Sequence, residues 1–114
     1  DFDFHLRTCV EGPVAFADVS SINYRVGNED QLTRPEYSIH IARNYLNTIL
    51  PVIQRYRERI SLSKSTLRLT LARAHAWISE ESFHSMDLKE ARSHAFQSLL
   101  KRRIVEFSLL SRKS

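Results

Sequence analysis

Two rhythms of apolar and polar positions divide the chain near residue 33. Over residues 1–9, acids and apolar residues are spaced so that Phe2, Leu6 and Cys9 or Val10 share one face of a short helix, which Gly12-Pro13 ends. Pro13-Val14-Ala15-Phe16-Ala17 is a brief apolar run with turn signals at both ends. Over 19–26, Ile22, Tyr24 and Val26 then alternate with Asn23 and Arg25. A period of two is the pattern of a half-buried strand, so this region predicts two short β-strands. The polar run Gly27-Asn28-Glu29-Asp30-Gln31 has nothing to bury and reads as a hinge.

Beyond the hinge the period changes to that of a helix. Thr33-Arg34-Pro35-Glu36 has capping-box form with proline just inside the start. Ile39, Ala42, Tyr45, Leu46, Ile49, Ile53 and Tyr56 follow at steps that place them on one stripe. Pro51 removes one backbone donor within that stripe, so a bent helix over 36–59 is expected. Ser61-Leu62-Ser63 opens a second helix, whose stripe of Leu67, Leu71, Ala74 and Ile78 runs to about Phe83. Asp87-Leu88-Lys89-Glu90 opens a third, with Ala91, Ala95, Ser98 and Leu99 on one face. Small residues at that spacing allow close approach, so 63–101 predicts an antiparallel helical hairpin. Trp77, Phe83 and Phe96 are expected to pack within it. The fold class is therefore mainly α: a short N-terminal helix and two short strands, then three to four helices forming a hairpin or bundle.

Length and composition narrow the possibilities further. A chain of 114 residues is one domain's worth, and 42% apolar with 26% charged residues is ordinary globular composition. No stretch approaches the roughly 18 to 20 apolar residues of a membrane-spanning helix. The lone Cys9 cannot close an internal disulfide; a reducing compartment, by default the cytoplasm, is expected, with Cys9 as a small buried apolar residue. The absence of an initiator Met and the abrupt acidic start suggest a piece of a longer protein. The net charge is +4, and residues 98–114 carry Lys101, Arg102, Arg103, Arg112 and Lys113 against the single acid Glu106. Such an excess suits a solvated helix surface or the anionic headgroups of a membrane surface. Without aromatic residues arranged for base stacking it disfavours nucleic acid.

Candidate chemistry is sparse. Two glycines in the whole chain exclude a P-loop and a dinucleotide-binding fingerprint. His5, His40, His75, His84 and His94 show no i, i+4 pair with a third plausible ligand, so no zinc site is expected. The acidic start is the informative feature. Asp1 and Asp3 stand two apart, and Arg7 lies four beyond Asp3, where an ion pair is easy to form. These acids suit the positive end of a helix. They equally suit a general base with a second carboxylate fixing its surroundings. Spacing does not choose between the two.

Three short motifs in order carry a resemblance: Asp1-Phe2-Asp3-Phe4-His5-Leu6-Arg7, Gly12-Pro13-Val14-Ala15-Phe16 and Asn23-Tyr24-Arg25-Val26. Together they resemble the end of the catalytic domain of family 2 glycosyltransferases of the GT-A type, which carry an acid-Asp-aromatic-Asp-Leu-x-Leu-Arg helix, a Gly-x-Val-Ala strand and a Tyr-Arg-Val strand. The resemblance covers about the first 33 residues and implies a division into 1–33, the incomplete end of a catalytic domain, and 34–114, a helical extension. It implies that Asp1 is the catalytic base that activates the acceptor hydroxyl, with Asp3 and Arg7 supporting it. It also implies a nucleotide-sugar donor, an acceptor substrate and a divalent cation, Mg or Mn, in the full-length protein, with none of the donor half in this fragment. The fragment alone is then expected to be inactive and to bind no cofactor. Gly27 stands where the family often continues Tyr-Arg-Val-His, so no histidine role carries over, and His5 matches no functional position.

A second function is compatible with the same residues. The 63–101 hairpin resembles one tetratricopeptide-type unit in its small residues, which implies a helical interaction module without catalytic activity. If the apolar faces of Ile22, Tyr24 and the first helix are orphaned from their sheet, self-association is expected to cover them.

Overall fold

The computed structural model describes residues 2–27 and 35–110, with side chains through 105. Four α-helices are present among them: α1 (Phe2–Glu11), α2 (Ser38–Arg55), α3 (Lys64–His84) and α4 (Leu88–Leu110). Each packs on its neighbour in sequence, α1 on α2, α2 on α3 and α3 on α4. None of the described helices is long and apolar enough to cross a membrane.

Each boundary has a local cause. Glycine and proline at 12 and 13 end α1 after Glu11. A single 3-10 turn, Pro35–Tyr37, leads into α2; Thr33 of the expected capping box lies outside the described residues. Ser63 caps α3, its hydroxyl accepting from the Thr66 amide at 3.1 Å, and the Asp87 carboxylate accepts from the Glu90 amide at 3.0 Å to cap α4. α2 continues past Pro51 as far as Arg55, and a 3-10 turn, Arg57–Arg59, occupies the end of the span expected to be helical. Pro51 lies on the exposed side of the helix. The carbonyl it leaves without a donor belongs to Asn47, also exposed, so water can take the missing place.

The core is the seam between α2 and α3. Ala42, Leu46 and Ile49 of α2 meet Ala74 and Ile78 of α3, with Ile39, Tyr45, Ile53, Leu71 and Trp77 packed around them. The helical stripes expected at these positions are the faces that are buried. α3 and α4 form the expected antiparallel hairpin through Ala91, Ser98 and Val105, all buried and spaced by seven. The turn between them closes with the Asp87 amide donating to the Ser82 carbonyl at 2.9 Å and the Met86 amide to the Phe83 carbonyl at 3.0 Å. This paired arrangement places Met86 in the left-handed region at φ 62°, a position usually held by glycine.

Several expectations fail. The two strands predicted over 13–17 and 19–26 are absent, and no strand occurs among the described residues. Alternation marks a face but does not supply a partner. A strand satisfies its amides and carbonyls only on a neighbouring strand, and no other described segment offers one. Val14, Phe16, Val19, Ile22, Tyr24 and Val26 accordingly stand exposed, Phe16 at 90%. The radius of gyration is 17.0 Å, against about 13 Å for a compact chain of this length. Phe83 of α3 is exposed as well, and so are Phe96 and Leu99 of α4, because the seam with α3 takes the small or β-branched Ala91, Ser98 and Val105 from α4. Cys9 is exposed, since α1 covers α2 with Phe2 and Leu6 and not with the thiol.

Candidate functional site

α1 carries the predicted site and is held by its other face. The Phe2 ring stacks on Tyr45 of α2 with centroids 5.5 Å apart, and Tyr45 in turn leans on Trp77 of α3 at 5.9 Å. Leu6 packs against the α2–α3 core. At the end of α1, Arg59 donates to both carboxylate oxygens of Glu11 and to the Val10 carbonyl, each at 3.1 Å. This fork holds the Glu11 carboxyl below the usual carboxylate range and raises the Arg59 guanidinium. Between α1 and the start of α3 lies an apolar cleft of about 310 Å³, lined by Phe2, Leu6, Val10, Ile49 and Leu62 among others.

Of the three predicted site residues, Asp1 lies outside the described residues. Asp3 and Arg7 are joined: Arg7 Nε donates to Asp3 Oδ2 at 2.9 Å, with both side chains more than half exposed. An exposed pair at this spacing is worth roughly 0.3–0.5 kcal/mol. Its effect is mainly to orient the carboxylate along the solvent face of α1, away from the docked face. Among the described residues no three metal-ligating side chains converge. Asp3 offers a single carboxylate already engaged with a guanidinium, which does not fit the cradle of a divalent cation, and no step is assigned to a metal here.

Two polar clusters that the sequence pattern did not reveal lie in the helical part. Arg43 of α2 makes a two-pronged contact with Glu90 of α4, Nε to Oε1 at 2.9 Å and Nη2 to Oε2, while the fully buried Ser82 of α3 donates to Oε2 at 3.0 Å. One carboxylate thus ties three helices together. Donation from Arg43 holds the Glu90 carboxyl below its ordinary range and raises Arg43. Beside it, Ser79 donates to the Ala91 carbonyl at 2.8 Å.

The second cluster pairs His75 and His94 across the hairpin, Nδ1 to Nδ1 at 2.8 Å. Burial, the Lys101 ammonium and His94 push His75 down to about 4. Neutral rings satisfy this contact, one nitrogen donating and the other accepting. One signal could have exposed the contacts within the hairpin: residues about equidistant from the turn face each other, as His75 and His94, or Ser82 and Glu90, do about 84–86, whereas Arg43 lies outside that symmetry. No family model, curated protein or solved structure matches the chain, so the fold and the site stand on the residues themselves.

Proposed function

We propose that this chain is the C-terminal part of a nucleotide-sugar glycosyltransferase, residues 1–33 closing its catalytic domain and 34–114 forming a helical extension. The observation that supports this most directly is the apolar run over 14–26. Its alternating side chains are exposed and no strand pairs with it among the described residues, which is the state expected of strands apart from the sheet that receives them. The acidic helix immediately before it is docked on the extension through Phe2 and Tyr45.

In this reading Asp1 is the general base. Its carboxylate takes the proton of the acceptor hydroxyl as that oxygen attacks the anomeric carbon, and the bond from that carbon to the diphosphate breaks with its electron pair on the leaving oxygen. Asp3 and Arg7 are positioning residues that fix the solvent face of the helix. Arg59 and Tyr45 anchor the opposite face, so the extension sets where the base stands. The donor nucleotide, and any divalent cation that would supply positive charge beside its diphosphate, would be held by the remainder of the intact protein, and the isolated chain transfers nothing.

Transfer from labelled nucleotide sugars by the intact protein tests this. Asp1→Asn should lower transfer by about a hundred-fold to ten-thousand-fold while the circular dichroism spectrum is unchanged. Undiminished transfer removes Asp1 from the base role, and turnover by the 114-residue chain alone overturns its assignment as an incomplete catalytic domain. A second reading, a helical interaction module, is supported by the groove of about 550 Å³ between α3 and α4, floored by Ala76, Ala91 and Ala95. An Asp-x-Asp motif encoded ahead of Asp1 favours the transferase; a run of further helical hairpins there favours the module.

A further inference from the structure

α4 is apolar in two directions. Toward α3 it sends the small or β-branched Ala91, Ser98 and Val105; outward stand Leu88, Phe96, Leu99, Leu100 and Ile104, with Phe96 64% and Leu99 66% exposed. Leu88, Arg92, Phe96, Leu99 and Arg103 follow one another at steps of four and three, a single line along the helix. Lys89, Arg92 and Arg103 are exposed among these apolar residues, and no ion pair engages them among the described residues. Within residues 88–105 the sole acid is Glu90, which is committed to Arg43 and Ser82 on the inner side. Phe83 and Met86, both exposed, carry the apolar surface around the turn. The acids bordering it are Glu80 of α3, across the groove from Arg92 and Arg102, and Asp87 in the turn, whose carboxylate accepts from the Glu90 amide.

We propose that this outward face of α4, continued by Phe83 and Met86, docks on an anionic membrane surface. The helix lies in the plane of the interface, with Phe96 and Leu99 at the boundary between headgroups and acyl chains, and with Lys89, Arg92 and Arg103 among the lipid phosphates and carboxylates. Charge selects this occupant. A second copy would bring the same three cations, and a two-fold pairing would set them against each other. The face is also the ridge of one helix, which a planar surface meets along its whole length. Cations toward both ends of the face, Lys89 and Arg92 at one and Arg103 at the other, keep it at the interface and oppose insertion across the bilayer. The inference is independent of the transferase reading, because it uses no residue of 1–33.

Co-sedimentation of the 114-residue chain with vesicles tests the proposal, comparing phosphatidylcholine alone with phosphatidylcholine containing phosphatidylserine. Binding is expected only to the anionic vesicles and should weaken with added salt. Arg92→Glu with Arg103→Glu, and separately Phe96→Ser with Leu99→Ser, should each reduce it by roughly ten-fold or more. All four positions are exposed, so helicity should be retained. As a measurement that leaves the apolar face intact, Phe96→Trp should show a blue shift in emission on anionic vesicles, beyond any change of the wild-type chain. Three results overturn the proposal: no binding to anionic vesicles, no such shift, or binding that survives loss of Phe96 and Leu99. A dimer that dissociates on the Phe96 and Leu99 substitutions, without vesicle binding, assigns the face to a second copy instead.

Discussion

Residues 12–27 and the α2–α4 assembly are both rich in apolar side chains, yet one leaves them in water and the other buries them. The difference lies in where the backbone finds its hydrogen bonds. Each turn of α2, α3 or α4 satisfies its own amides, so its apolar stripe only has to meet the next helix in sequence, which the short connections bring within reach. The 14–26 segment needs a second strand before its alternating side chains can share a face, and none is available among the described residues. Apolar content alone therefore does not make a core; self-sufficient local structure does.

The sharpest way to break this comparison is to attack the buried side. Ile78 is 1% exposed at the α2–α3 seam, and Ile78→Ala should cost about 2–5 kcal/mol, read as a shift in the urea midpoint. A change no larger than that of a surface substitution would mean that the seam is loosely packed. Next in size is a pH effect on the hairpin. The unfolded chain protonates His75 near 6.5, whereas in the folded chain the ring stays neutral down to about 4. In that window the unfolded state binds more protons, so stability should fall as pH drops from about 6.5 to about 4 and level off below it. Denaturant titrations across this range should show the slope, and His75→Gln should flatten it.

A smaller effect, of opposite sign, is expected at the turn that joins α3 and α4. Met86 has left-handed backbone and an exposed side chain, so Met86→Gly relieves strain without removing packing and should stabilise the fold by about 0.5–1 kcal/mol. Thermal melts suffice to detect it. Smallest of all is Phe16→Ser, expected to shift stability by no more than about 0.5 kcal/mol. In the intact protein, where the proposal supplies a sheet, the same substitution should be clearly destabilising. Equal effects in both settings would remove the main support for the missing sheet.

What could be read from the residues follows the same division. The caps at Ser63 and Asp87, the stripes of α2 and α3 and the stop at Gly12-Pro13 are local signals and are found where expected. The alternation over 19–26 does not become a strand because period two is local but pairing is not. Leu99 parts from Ala91 and Ser98 because α4 has two apolar faces, and side-chain size decides which one the close seam with α3 admits. The Arg43–Glu90 contact spans 47 positions between helices, beyond the reach of any motif. On the candidate site, the Asp3–Arg7 pair was legible from its i, i+4 spacing. The anchoring of its helix by Tyr45 and Arg59 depends on how α1 and α2 meet, which spacing within either one does not specify.

The stacked rings of Phe2, Tyr45 and Trp77 give this anchoring an optical signature. Trp77 is the sole tryptophan of the chain and touches Tyr45, the ring on which α1 rests. Its emission, excited directly or through the tyrosine, therefore serves as a built-in gauge of whether the acidic helix is seated, legible in real time without any label.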